Sequence, residues 1–202
     1  MATYNLPAAP DGMPSDYGLT QLINQKFFGA ANFGSQRELL AGSRYLLRLT
    51  YDRRVRDRHR VLQNVIEASA IPGDDIRIRL ASCVGYIPGD VPIVTSTAVA
   101  AAGSRQIRVS VAGNAVLEGK LFSVGDRLYK SRTSLPIGGN RTVTLNWPLR
   151  SEVAAGTVLN FSDPTSHFVI LDQAPSFPVR GFIDDQGDTE GGPIVAEFTE
   201  LL

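Results

Sequence analysis

The chain has 202 residues, enough to bury a substantial core as one domain or as a domain carrying an insertion. Lys+Arg and Asp+Glu stand at 20 each, so the formal charge is zero, which counts against a dedicated nucleic-acid binder because phosphate neutralisation supplies most of such a protein's affinity. A single cysteine, Cys83, excludes an internal disulfide and a multi-cysteine metal site, and no apolar run is long enough to span a bilayer.

Only Lys26, Lys120 and Lys130 are lysines, so the positive charge is nearly all arginine, the better residue for fixed bidentate pairs at interfaces. The first residues, MATYNLPAAPDG, have neither the basic start nor the apolar core of a signal peptide, and the expectation is a protein made and kept soluble. Cys83 follows a strand and reads as a small core side chain.

Residues 1–14, rich in Ala, Pro and Gly, read as an extended arm, either a disordered terminus or a segment reaching a neighbour. Ser15 or Asp16 opens a short expected helix holding Leu19, Leu22 and Ile23 and ending at Gly29. From Arg44 to Tyr51 the period becomes two. Tyr45, Leu47, Leu49 and Tyr51 share one face, with Arg48 and Thr50 on the other, the pattern of a half-buried strand. Asp52 can cap a helix from Arg53 to about Ser69, whose Val61, Leu62, Val65 and Ile66 form an apolar stripe. Its other face carries Arg53, Arg54, Arg56, Arg58 and Arg60, softened by Asp57. That run fits a solvated face, a protein contact or a nucleic-acid contact, in falling order. Ile71-Pro72-Gly73 stops the helix, and Ile76, Ile78 and Leu80 then alternate with Arg77 and Arg79 as a second strand.

A loop, GYIPGDVP, follows, and the small-residue stretch VTSTAVAAAGS reads as a linker. Short strands are expected at Gln106–Ala112 (Ile107, Val109 and Val111 inward), Lys120–Val124, Asp126–Arg132, Thr142–Trp147, Thr157–Phe161 and His167–Leu171. Gly138-Gly139-Asn140 supplies the positive φ values of a tight hairpin turn. Pro193–Leu202 reads as a strand returning to the first sheet. A helix with one apolar stripe beside strands with one apolar face implies a helix laid on a sheet, so the chain is mainly β with one helix.

Catalytic chemistry finds little footing. His59 sits at the edge of the helix stripe, and His167 starts a strand beside Asp163-Pro164, where turn or cap hydrogen bonding is expected. There is no G-x-S-x-G, and Gly138-Gly139 lacks the lysine and hydroxyl of a phosphate loop. The acidic loop 184–192 concentrates oxygen ligands without the spacing of a calcium loop and reads as an exposed loop. No enzyme activity, cofactor or metal is expected. Trp147, ending the Val143–Leu145–Trp147 alternation, should point inward.

Five strings are distinctive: G-S-R-Y-L-L-R-L-T-Y (42–51) before the arginine-bearing helix, G-D-R-L-Y-K (125–130), N-W-P-L-R (146–150), A-G-T-V-L (155–159) and D-P-T-S-H-F (163–168). In this order they resemble the distal-tail and minor tail proteins of long, non-contractile-tailed bacteriophages. The similarity covers most of Phe33–Leu171. Tyr45 stands where the family pattern has tryptophan, and Trp147-Pro148 where many members double the proline.

The resemblance implies a split β-sandwich with one packing helix, of tail-tube and distal-tail type, carrying an inserted small β module. Residues 1–95 and 168–202, with helix 53–69, would form the sandwich, and 103–167 a small barrel-like insert. It also implies a virion protein of the tail tip or baseplate, assembled in the host cytoplasm. Such proteins form rings, often hexameric, joining the tail tube protein to tip, hub or fibre proteins, with no nucleic-acid recognition and no membrane. The expected contact residues are Asn5, Leu6 and Pro7 of the arm, Arg53, Arg56 and Arg60 of the helix, and Tyr86, Ile87 and Pro88 of the following loop. A tail-tube, terminator or other minor tail role lies in the same class. The rivals are a carbohydrate- or ligand-binding β module reading through Gly103–His167, with Tyr129 as a stacking platform, and a nucleic-acid module using the arginine helix.

Overall fold

The computed structural model describes residues 2–7, 14–22, 25–29, 35–39, 43–51, 56–69, 74–81, 91–170 and 194–201, with 22, 25–29, 35–39, 56–60, 62–63 and 194 described by backbone alone. The chain is mainly β with one helix, and it divides into two compact units, residues 1–20, 45–87 and 165–201 in the first and 21–44 and 88–164 in the second.

The first unit is built on a six-stranded sheet. Its strands are β1 (Thr3–Asn5), β2 (Asp16–Leu22), β5 (Arg44–Tyr51), β6 (Asp75–Arg79), β13 (Thr165–Ile170) and β14 (Ile194–Glu200). They lie in the order β1-β6-β13-β14-β5-β2. The alternation read from β5 is the one observed: Tyr45, Leu47, Leu49 and Tyr51 are buried and Arg48 is exposed. Ile76 and Ile78 of β6 are buried with Arg77 and Arg79 exposed. The closing strand β14 returns to this sheet between β13 and β5, placing Phe198 opposite both Leu47 and Ile170. Phe168 and Ala196 complete one apolar face. Each such large side chain contributes about 1.5–3 kcal/mol on burial.

The helix α1 (Arg56–Ser69) lies beside β1 and β6. Ile66 is fully buried, but Val61, expected in the apolar stripe, is 50 % exposed. At the last turn the Ser69 hydroxyl donates to the Ile66 carbonyl at 2.9 Å.

Two stretches near the N-terminus differ from expectation. The arm is no free arm over Thr3–Asn5, which adds to β6 in parallel register. The expected helix at 15–29 is instead β2, followed by β3 (Gln25–Gly29). Leu19 and Leu22 have helical spacing, but Tyr17, Gly18 and Thr20 are poor helix formers, and pairing with β5 satisfies the backbone. β3 pairs with β4 (Ser35–Leu39) as a separate antiparallel hairpin.

The second unit contains β7 (Ile93–Ser96), β8 (Gln106–Ala112), β9 (Leu121–Val124), β10 (Arg127–Lys130), β11 (Gly138–Thr144) and β12 (Val158–Leu159). The stretch read as a linker is therefore partly β7, paired on both edges, to β8 and to β12. Residues 91–102 thus belong with the second unit, whereas the expected sandwich ran through residue 95. β8 has the boundaries and inward residues expected of it.

Four strands run in the order β11-β8-β7-β12, and β9 pairs β10 through the two-residue turn Gly125-Asp126, with Gly125 at φ +58°. Backbone bridges join the two sets. Ser123 and Asn160 exchange bonds of 3.0 and 2.9 Å, linking β9 to the end of β12. Arg132 N donates to Thr144 O at 2.8 Å, and Asn146 N to Lys130 O at 3.1 Å, linking the end of β10 to β11. Pairing thus runs in a closed circuit, β11-β8-β7-β12-β9-β10 and back to β11, which removes free strand edges. Gly138-Gly139-Asn140 makes no hairpin turn. It lies within β11 as a bulge, with Gly138 at φ +132°, Asn140 at φ +55°, and a register shift against β8 between Gly138 and Arg141.

Candidate functional site

Of the expected contact residues, Asn5 is exposed on the edge strand β1 and Pro7 is partly exposed. Leu6 is only 5 % exposed within its own chain, and its N–H donates to the Arg77 carbonyl at 3.2 Å. An apolar residue at the end of a strand laid against a sheet has a core to enter, which composition alone did not reveal. Arg53, Tyr86, Ile87 and Pro88 lie outside the described residues, as do Cys83 and the acidic loop 184–192. His59, Arg56 and Arg60 are placed by backbone only. By steps of three and four, positions 56 and 60 share a row of the helix backbone with Asn64 and Glu67, both of which are exposed.

The structure also joins polar groups that are far apart in sequence. Asp75, buried at the start of β6, accepts the Thr3 hydroxyl from β1 at 2.7 Å and pairs through its other oxygen with Nδ1 of His167 on β13. Asp74 accepts the Ala2 N–H at 2.6 Å. The expected turn partner of His167 is thus replaced by a carboxylate on the adjacent strand, two residues from its registered partner Arg77, while Asn160 serves the Asp163 turn, accepting from its N–H at 3.0 Å. Burial pushes the Asp75 carboxyl up, but hydrogen bonds from Thr3 and His167 and the imidazole's charge outweigh it and hold the group below the ordinary carboxylate value.

A depressed folded value stabilises the protein above the unfolded carboxyl's pKa, and that stabilisation is lost as pH falls through the folded value. Asp75→Asn is expected to lower the melting temperature at neutral pH, and the gap from the parent should shrink below about pH 4. Melting curves from pH 7 to 2 test this; a gap independent of pH would remove Asp75 from the acid response.

In the second unit Phe122 stacks on Phe161 with centroids 4.5 Å apart and lies 6.0 Å from Tyr129. Tyr129 is only 2 % exposed, and its hydroxyl accepts the Arg150 N–H at 3.3 Å. It is a core residue and cannot serve as a stacking platform. Among the residues whose side chains are described, the one exposed large aromatic is Tyr17, in the first unit. On the outward side of β7, β8 and β12, Val158 is opposite Thr95, Thr95 opposite Ser110 and Ile93 opposite Ala112, with Arg108 exposed on the same face of β8. Ile93 and Val158 are well exposed there.

Among the described residues no group of three or more His, Cys, Asp or Glu could hold a metal, and no helix is long and apolar enough to cross a membrane. The chain matches no protein-family model and no curated protein.

Proposed function

We propose that this chain is a structural virion protein of a phage tail tip or baseplate. It assembles into a ring, hexameric by the resemblance, that joins the tail tube protein to tip, hub or fibre proteins. In this reading the six-stranded sheet belongs to a split β-sandwich of tail-tube and distal-tail type, and the closed circuit of strands is its inserted module. The observation that carries the proposal is the place of the distinctive strings. R-Y-L-L-R-L-T-Y is a central strand of the first sheet, followed by the arginine-bearing helix. G-D-R-L-Y-K makes the β9–β10 turn and strand, and D-P-T-S-H-F leads into β13. Residues that carry the likeness are thus the ones around which both units are built. The ligand-binding alternative loses the exposed aromatic it relied on.

Assembly through the helix row has a direct test. Reversing charge with Arg53→Glu, Arg56→Glu and Arg60→Glu is expected to abolish rings in negative-stain images while leaving a folded monomer by circular dichroism. Intact rings from the triple variant would show that the row faces solvent.

A further inference from the structure

The first sheet contains a span that its own chain can barely cover. β1 and β2 are consecutive in the sequence, yet they occupy opposite edges of the six-stranded sheet. Asn5 is registered with Arg77, and Arg77 with His167. Leu201 donates its N–H to His167, and continuing the β14–β5 register by two residues from Thr199 and Leu46 sets Leu201 opposite Arg44. Asn5 therefore lies in the same row as Arg44. Ser15, at the other end of the connection, bonds Thr50, with N–H and hydroxyl at 2.8 and 2.9 Å from its carbonyl.

From the Arg44 row to Thr50 is six residues along a strand, about 20 Å, and from β1 to β2 is five strand spacings, about 24 Å. The diagonal on a flat sheet is about 31 Å. Ten residue steps from Asn5 to Ser15 reach at most about 33–36 Å when fully extended. Closing β1 onto the same chain's β6 leaves almost no slack. The contacts of β1 are three registered residues of β6, the Asp74 and Asp75 carboxylates, the helix α1 beside it, and the socket that takes Leu6.

The geometry points to β1 as an exchangeable strand: residues 2–6 of one copy pair with the β6 edge of a second copy. The same backbone register, the Thr3–Asp75 bond and the Leu6 burial are recreated between chains, and the ten-residue connection bridges two molecules in place of spanning one sheet. The only occupant that fits this edge in every detail is a second copy of the same sequence, because parallel register, carboxylates and apolar socket are already matched to it. The inference deepens the proposed self-assembly and rests on it for its biological setting. It assigns Asn5, Leu6 and Pro7 to a subunit junction although Leu6 is buried.

The test uses full-length chains carrying Cys83→Ser and two different affinity tags, one with Asn5→Cys and the other with Arg77→Cys. Both new cysteines are at exposed positions, and neighbouring strands bring registered Cα atoms within disulfide range. The two chains are unfolded, mixed, refolded at high concentration and oxidised. The expected result is a covalent dimer on denaturing gels whose 5–77 disulfide joins differently tagged peptides by mass spectrometry. No such peptide from the mixture, together with purely monomer-sized 5–77 linkage in a chain carrying both substitutions, overturns exchange. Rings whose chains hold only the internal link would leave the assembly reading standing and remove exchange. A 5–77 interchain link in a protein that forms no rings would do the reverse. Should the cysteine chains fail to fold, the parent chain decides. Oligomers formed by refolding at high concentration should persist on dilution, because separation requires β1 to unpair, and immediate return to monomer overturns the proposal.

Discussion

Trp147→Ala is expected to destabilise the second unit by about 3–5 kcal/mol, the usual cost of emptying a buried large aromatic site. The side chain is 4 % exposed at the end of the alternation that also buries Val143 and Leu145. Asn146 beside it is part of the link that closes the strand circuit: its N–H donates to Lys130 O, and its side-chain oxygen accepts the Lys130 N–H at 2.9 Å. A cavity next to that link removes packing where β10 meets β11. At this chain length the loss corresponds to a fall in melting temperature of about 6–20 °C. Trp147→Phe, which keeps most of the volume, should lose less than half as much. Urea denaturation followed by circular dichroism measures both, since the substitution removes the chain's only tryptophan. An unchanged midpoint for Trp147→Ala would mean that the site collapses without cost.

Glu200→Ala should be comparably severe in the first unit, and for a different reason. The carboxylate is fully buried, with one oxygen accepting the Ser166 hydroxyl at 2.9 Å and the other the Tyr45 N–H at 3.3 Å. It ties β13, β14 and β5 together on the apolar face of the sheet. Its removal leaves two buried donors without this acceptor, and the expected loss is about 2–6 kcal/mol. Glu200→Gln should fall between, because the amide keeps one acceptor oxygen but presents N–H groups to a second donor. Ser166→Ala should cost less in the Glu200→Ala background than in the parent, and equal costs in a double-mutant cycle would show that the two groups are not coupled.

Strand identity was legible in the clearest runs of period two, although the alternation through Trp147 runs past the end of β11 at Thr144. β5 and β8 are observed with the boundaries read from the sequence, and β6 has its isoleucines in and its arginines out. Trp147 is inward, as its place in the alternation implies. The failures are short or chemically plain. β1 has three residues and no pattern of its own, β7 looks like a small-residue linker, and the leucine spacing in β2 mimics a helix. In each case a neighbouring strand supplies the hydrogen bonds that decide the conformation, and a single segment carries no record of its neighbour.

The same limit governs the candidate sites. The helix, its row of arginine positions and the strings that carry the phage-tail resemblance are properties of contiguous sequence, and they could be read without coordinates. Asp75 with His167 and Thr3, and Glu200 with Ser166 and Tyr45, exist only because strand order brings β1, β6, β13, β14 and β5 side by side. Local alternation follows from backbone sterics and burial acting within a few residues. Alternation ranks the two faces of one strand but cannot say what covers either. Leu128 and Tyr129 are adjacent on β10 and both are buried. One of them had to read as exposed from the sequence. Only the tertiary structure, by covering both sides of β10, makes Tyr129 a packing residue with no access to a ligand.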